Sequence, residues 1–347
     1  MSYIQALQTI FLCLFSPFKS KFNIDDFIAK DNYELGFKDF FNSYLKNKIT
    51  EIEKLRLFNL NIIRTALILF IIIALVTLKI NVAAKNFPHF LALLFFVLFF
   101  ISNQLTANFQ KIYSTFVLNN IFKYFGNNFD YKETSANFSN DYKNFMNLPQ
   151  FDPKLSKCFA IVNANHQNVT IRFQEILLKN LKTYEAFNIN RSAPKKYKQK
   201  IINVTQGLAL HLKFDSKFAS HLILFKKILG DNSLNNPDSN QFEKMTSQNA
   251  DFNKNFHIFT SNKDEAEKIL SPNFCEKFNQ IALAFNYKKM LSAVNDQQLL
   301  IYFETKQKIF NPSPLHQSIN LVKESQKIIQ NFAAIFNFID DILVKNT

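Results

Sequence analysis

The sequence predicts an α+β protein in which an N-terminal two-helix transmembrane hairpin precedes a C-terminal mixed α+β soluble domain. Two observations lead to this class. Two apolar runs, LILFIIIALVTL at 67–78 and FLALLFFVLFFI at 90–101, lie close together near the start of the chain. Beyond residue 169, short stretches of alternating apolar and polar residues replace them, as in half-buried strands.

The apolar runs are long enough to cross a bilayer. A membrane-spanning helix needs about 20 mostly apolar residues, and the runs reach this length over 58–78 and 87–105. Arg64 falls at the edge of the first span, from where we expect it to extend its guanidinium towards the headgroups. The alternative is a buried hairpin of a soluble protein. It is disfavoured because a chain of 347 residues can hardly enclose two such runs.

The distribution of basic residues predicts the orientation of the hairpin. Cytoplasmic flanks of membrane helices carry an excess of Lys and Arg. The outer flanks hold Lys46, Lys48, Lys54, Arg56, Arg64, Lys111 and Lys123, and the connecting loop holds Lys79 and Lys85. We therefore expect both termini on the cytoplasmic side.

Helical spacing extends beyond both spans. Apolar residues recur every three or four positions over 38–60, and the pattern after the second span continues to Gly126, where we expect the helix to stop. The predicted organisation has four parts. They are an N-terminal amphipathic, helical cytoplasmic segment (1–57), the transmembrane hairpin (58–105), a helical stalk (106–126) and the α+β soluble domain (127–347).

Within the soluble domain, period-two patterns predict strands around 169–174, 208–214 and 222–225, with a basic loop at 191–200 between the first two. In the last third of the sequence, the local patterns predict a strand at 256–260 and a helix around 264–270. Three further elements follow from local signals. They are a helix capped by Ser271-Pro272, a hairpin turning at Asn295-Asp296, and a terminal amphipathic helix opened by Ser313-Pro314.

Composition excludes several classes of function. The formal charge of +14 would suit an anionic partner. However, Phe (42 residues), Lys, Asn and Ile are abundant and Gly (4 residues) is rare, which is the composition that AT-rich codons produce. The excess of lysine therefore does not by itself indicate an anionic partner. We therefore do not expect nucleic-acid binding. The glycines are isolated, so no phosphate-binding loop is present. Three scattered cysteines and six scattered histidines form no metal-ligand motif, and we expect neither a metal nor a cofactor.

Two groups of residues remain as candidate sites. His211 and His221 could face each other across neighbouring strands, and Glu175 is a candidate buried carboxylate because apolar residues follow it. Ordinary structural roles compete with this interpretation. The basic loop is the sharpest electrostatic feature and could bind lipid headgroups or a partner, or could simply be a solvated connection. Its basic residues are Arg191, Lys195, Lys196, Lys198 and Lys200.

The order of these elements resembles a bacterial family of uncharacterised membrane proteins that carry domain of unknown function 3137. The similar segments are GLALHLKFD at 207–215 with Lys217-Phe218, DFNKNFHIFT at 251–260, Asp264-Glu265-Ala266, Ile269–Pro272, LIYF at 300–303 and Phe310–Pro312. The resemblance covers about 110–345 and is strongest over 251–312. It implies two membrane helices followed by this domain, and it implies no catalytic residues.

Together these features favour a multi-pass protein of the bacterial inner (cell) membrane with an interaction or scaffolding role and no enzymatic one. Its partners would be the lipid bilayer and other membrane proteins, and a homo-oligomer is compatible with the sequence. One alternative is a membrane-tethered hydrolase using His211, His221 and Glu175. Another is a sensor of anionic lipid surfaces using the basic loop.

Overall fold

The computed structural model describes residues 12–13, 28–29, 32–79, 87–126, 128–138, 142, 151–185, 197–227, 241–285, 287–305, 310, 315 and 321–343. The chain divides into two compact units. The helical unit comprises 1–124 and 311–328, and the sheet unit comprises 125–310 and 329–347. The fold is therefore α+β, as the sequence predicts.

The helical unit is built on two long helical stretches. The first consists of α1 (Phe37–Phe40), a π-helical segment (Phe41–Leu45) and α2 (Lys46–Lys79). The second consists of α3 (Phe87–Tyr113), a π-helical segment (Ser114–Leu118), α4 (Asn119–Phe122) and a 3-10 turn (Lys123–Phe125). Each stretch contains a segment long and apolar enough to cross a membrane. The continuous helices confirm the predicted extension of both spans, and Gly126, with a φ of +108°, follows the second.

Two arginines near the first span lie inside the helical unit. Arg56 is fully buried and forms a bidentate ion pair with Glu53, with both N–O distances at 2.7 Å. Arg64 donates from Nε to the backbone carbonyl of Cys13 at 3.0 Å. The Nε–H of Arg64 is therefore bonded to a carbonyl oxygen within the unit, and its reach to lipid headgroups stays a prediction.

The sheet unit contains nine antiparallel strands. These are β1 (Asp130–Glu133), β2 (Lys157–His166), β3 (Val169–Glu185), β4 (Tyr197–Lys213), β5 (Leu222–Lys226), β6 (Glu243–Met245), β7 (Phe256–Thr260), β8 (Lys289–Asn295) and β9 (Gln298–Glu304). Their spatial order is β1-β2-β3-β4-β9-β8-β5-β7-β6. A tight turn joins β2 to β3 through Gln167 and Asn168, both with positive φ, as the twist of a two-residue hairpin requires.

Four helices accompany the sheet strands in sequence. They are α5 (Ala250–Asn255), α6 (Lys263–Ile269), α7 (Pro272–Ala284) and α8 (Leu321–Leu343). The side chain of Asn262 caps α6 and that of Ser271 caps α7, each accepting a hydrogen bond from a backbone N–H in the first turn. The predicted Ser271-Pro272 helix start is confirmed. The Ser313-Pro314 signal lies outside the described residues.

Both faces of the sheet are packed. On one face, Phe173 of β3 contacts Phe332 of α8, with ring centroids 5.8 Å apart, and Phe303 of β9 stacks on Phe285 at 4.6 Å. On the other face, a cluster of buried side chains includes Tyr302 and stacked Phe138 and Tyr142 rings. We call these the helix face and the cluster face. Among the described residues, side chains therefore pack against both faces of the sheet.

The structure confirms some predicted strands and changes others. β5, β7 and the β8–β9 hairpin lie where the patterns place them. β1, β2 and β6 lie in segments for which no strand was predicted. The predicted loop at 191–200 is too long, because β4 already begins at Tyr197 and continues without a break to Lys213.

Candidate interaction surface

Strands β3 and β4 extend beyond their neighbours in the sheet. Pairing of β2 with β3 ends at Lys157↔Leu177, and pairing of β9 with β4 ends at Gly207↔Glu304. Residues 180–185 and 197–202 pair with each other, and no third strand among the described residues joins them. We call these two segments the projecting ribbon. Six residue pairs correspond to a length of about 20 Å.

The projecting ribbon exposes an apolar pair. Leu181 and Ile201 are directly opposite each other, and their side chains are 43% and 51% exposed. Directly opposed residues of an antiparallel pair point to the same face. The two side chains therefore form one small apolar surface on the ribbon.

The ribbon also carries concentrated positive charge. Lys182 lies directly opposite Lys200, and both are exposed, as is Lys198. From 179 to 203 the sequence has seven basic residues and a single acidic residue, Glu185. Like charges placed directly opposite each other destabilise a strand pair. An anionic partner would relieve this repulsion.

The structure thus places only part of the predicted basic site. Lys198 and Lys200 are strand residues of the ribbon and not loop residues. Arg191, Lys195 and Lys196 lie outside the described residues, in the segment that connects the two strands. Sequence reasoning missed Leu181 and Ile201, because nothing in the local pattern shows that this part of the hairpin leaves the sheet.

The hydrolase candidates do not come together. Glu175 pairs with Leu208, three residues from His211 on β4. Because strand side chains alternate between faces, Glu175 and His211 point to opposite faces of the sheet. Glu175 is buried on the helix face, whereas His211 stacks edge-on against Tyr142 on the cluster face at 5.5 Å.

The two histidines are also separated from each other. His211 is on β4, and exposed His221 directly precedes β5. Strands β9 and β8 lie between β4 and β5, which corresponds to about 14 Å across the sheet. Nε2 of His211 is 3.0 Å from Oε1 of Gln298, a structural hydrogen bond. The expectation that the histidines face each other on neighbouring strands is wrong.

The cysteine thiols of the sheet unit are poor nucleophiles. Cys158 and Cys275 are almost fully buried, and burial raises the pKa of each thiol to about 11. The thiolate is the reactive form, so little of it is present near neutral pH. Within the described part of the chain, no three His, Cys, Asp or Glu side chains are placed to hold a metal ion.

A small cleft of about 220 Å³ lies beside α6 and α7. Its acidic side chains have basic neighbours. Glu265 pairs with Lys268 at 2.7 Å, and Asp341 lies 3.8 Å from Lys277. With its charges compensated, the cleft has no evident anion or cation preference.

Comparison with known proteins identifies one family model and one solved structure that are similar to parts of this chain. Residues 203–343 match a family model described as a protein of unknown function, DUF3137, which confirms the resemblance seen in the sequence for that part of the chain. A similar solved structure is that of the mycobacterial trehalose monomycolate transport factor A, TtfA. It is 7% identical, the alignment covers 59% of this chain and 88% of that chain, and the TM-score is 0.31. No curated protein matches the chain.

Proposed function

We propose that this chain is a membrane-anchored interaction protein that binds an acidic protein partner through the projecting ribbon and catalyses no reaction. The anchor would be the pair of apolar helices, crossing the bacterial inner membrane with both termini in the cytoplasm. The observation that carries the proposal is the ribbon itself. It combines a strand pair that no third strand among the described residues joins, an exposed apolar pair and a strong excess of positive charge.

The chemistry of the ribbon restricts the kind of partner. Lysines on edge strands discourage pairing with another strand edge of the same kind. A partner with carboxylates would neutralise Lys182, Lys198 and Lys200, while an apolar patch on it would cover Leu181 and Ile201. This arrangement favours a different protein over a second copy of the same ribbon, because two basic ribbons repel each other.

Packing of both sheet faces supports an interaction role. Glu175, His211 and His221 do not share a pocket, so the arrangement provides no site in which a substrate could meet an acid and a base together. The hydrolase alternative required that convergence.

Site-specific photo-crosslinking in bacterial cells tests the proposal. A photoreactive amino acid replaces Leu181 or Ile201 in the full chain, and Leu283 of α7, which is 75% exposed, serves as the matched control. We expect a reproducible protein adduct from the two ribbon positions and none from the control. Equal adducts from all three positions, or none from the ribbon, would contradict the proposal. Resistance of the chain to alkaline extraction from membranes tests the anchor separately.

A charge reversal separates binding from folding. Lys182→Glu turns the like-charge pair with Lys200 into an opposite-charge pair, which stabilises the ribbon by up to about 1 kcal/mol. The same change removes charge attraction for an acidic partner. We expect the crosslink yield to fall while the thermal unfolding midpoint stays level or rises. A lower yield accompanied by lower stability would instead indicate damage to the ribbon.

The same lysines favour a second candidate, a sensor of anionic lipid surfaces. Each basic residue near such a surface contributes up to about 1 kcal/mol to binding. The crosslinking experiment distinguishes the two candidates, because a lipid adduct at positions 181 and 201 would support the sensor and a protein adduct would support the scaffold.

A further inference from the structure

A continuous exposed stripe follows one side of the second long helix. Positions 93, 97, 100, 104, 108, 111 and 115 are spaced by three or four residues and therefore share a helix face. Leu93, Val97 and Phe100 are 62%, 50% and 60% exposed. From position 104 onwards the stripe is polar. The change from apolar to polar marks where the hydrocarbon of a bilayer would end.

The polar half of this stripe forms a groove. It has a volume of about 560 Å³ and is lined by Asn108, Lys111 and Thr115, with Ile112 and Phe116 as its apolar part. None of the described residues that line it is acidic. The groove therefore combines basic and amide groups with an apolar floor, and it is continuous with the exposed apolar stripe.

Contacts with the first long helix shape the groove. Nζ of Lys48 lies 5.7 Å from the centre of the Phe116 ring. The hydroxyl of Tyr44 donates to Oδ1 of Asn120 at 2.7 Å, and Nζ of Lys123 donates to that hydroxyl at 3.1 Å. These contacts fix one wall and bring a further positive charge close to the groove.

The position of Lys111 fits the headgroup layer of a bilayer. Lys111 is seven residues beyond Gln104, about 10 Å along the helix. Side chains of an α-helix tilt towards its N-terminus, so the lysine points back towards the apolar segment by several ångströms. The headgroup layer is about 5–8 Å thick on each side of the hydrocarbon. In a membrane-anchored chain, the ammonium group of Lys111 would therefore lie at the depth of lipid phosphates.

We propose that this groove binds the headgroup of an acidic phospholipid, with Lys111 and Asn108 contacting the phosphate and an acyl chain lying along Leu93, Val97 and Phe100. The inference rests on the proposed membrane anchor. An acidic lipid fits better than a zwitterionic one, because a lining with lysine and without carboxylates attracts net negative charge and offers no carboxylate to a choline cation.

Lipid titration of the purified full chain in neutral detergent tests the site. Phosphatidylglycerol or phosphatidylcholine is added, and the thermal unfolding midpoint is followed against lipid concentration to obtain an apparent affinity. We expect stabilisation by phosphatidylglycerol alone. Lys111→Gln should weaken that affinity about fivefold, the factor that corresponds to one basic contact near a lipid surface. Lys111→Arg, which keeps the charge, should retain most of it.

Lys54→Gln is the matched control. Lys54 is exposed and lies just before the first apolar span, so the variant loses the same charge near the membrane but outside the groove. An unchanged affinity in this variant, together with the loss in Lys111→Gln, supports a defined site. Equal losses in both variants, or equal stabilisation by the two lipids, would overturn the inference. If the wild-type chain is extracted from membranes by alkali, the proposed anchor fails instead.

Discussion

Gly207 sits at the point where the projecting ribbon joins the sheet, and replacing it tests the packing there. A Cβ atom at this position would lie 2.2 Å from the backbone oxygen of Phe303 and 2.7 Å from the ring and hydroxyl of Tyr302. Ordinary contact begins near 3.4 Å. The Gly207→Ala variant therefore requires a backbone shift of about 1 Å between β4 and β9, two central strands.

The expected cost follows from that shift. Overpacking a dense core costs about 1–3 kcal/mol, and weakening one adjacent ladder hydrogen bond costs about 1 kcal/mol more. We expect Gly207→Ala to lower the free energy of unfolding by about 3 kcal/mol. For a unit of roughly 200 residues, this corresponds to a decrease of about 6–12 °C in the unfolding midpoint. Far-UV circular dichroism of the full chain in detergent measures it.

Tyr302→Phe provides the control. It removes the hydroxyl that donates to Thr205 at 3.0 Å and should cost about 1 kcal/mol. The double variant with Gly207→Ala should be less stable than Gly207→Ala alone by up to about 1 kcal/mol, because the lost hydrogen bond adds to a clash whose shortest contact, with a backbone oxygen, remains. A neutral Gly207→Ala, or full rescue by Tyr302→Phe, would refute the reasoning.

Three further predictions concern buried and titrating groups. Arg56→Met should destabilise the helical unit by about 3–5 kcal/mol, because it leaves the Glu53 carboxylate buried without this partner. The Glu53→Leu/Arg56→Met double variant should lose less stability than Arg56→Met when both are measured by thermal unfolding. Burial raises the pKa of Cys158 and Cys275 to about 11. Both thiols should therefore react with a thiol reagent at pH 7 only after unfolding. Rapid modification of either cysteine in the native chain would contradict this. Burial and two nearby lysines lower the pKa of His257 in the folded state below 6.5, so the unfolded chain binds the extra proton more readily. Stability should therefore fall as the pH drops below about 6.5, and a His257→Gln variant should show a smaller decrease across that range.

The sequence predicts best those elements in which one local pattern dominates. The two long apolar helices are recognisable because their composition alone is unusual. The β8–β9 hairpin is recognisable because polar residues separate two apolar runs. Its turn is Asp296-Gln297, one position later than predicted, because Asn295 still pairs with Gln298. Asp296 adopts a positive φ. The cap at Ser271 follows from the hydrogen bonds that helix starts require, whereas the cap at Asn262 was not predicted.

Strands whose side chains are exposed on both faces are not predicted from the sequence. Residues 197–202 of β4 are mostly exposed, so no alternation of apolar and polar side chains marks them as a strand. The exposure of Leu181 was likewise not predicted, because its side chain is apolar like that of a core residue but lies on the exposed projecting ribbon. Pairing with a partner strand, and not the local pattern, keeps both segments extended.

What the sequence by itself determined is the order of the parts: two long apolar helices, then a domain of alternating strands and capped helices, with an excess of basic residues between 179 and 203. These features depend on short-range sterics and on the apolar content of each segment. Only the tertiary structure decided which strands are neighbours. It placed Glu175 and His211 on opposite faces, and no other strand in the part of the chain that the structure describes joins the end of the β3–β4 hairpin. The physical reason is that strand pairing depends on packing of residues far apart in the chain, and no local period encodes it.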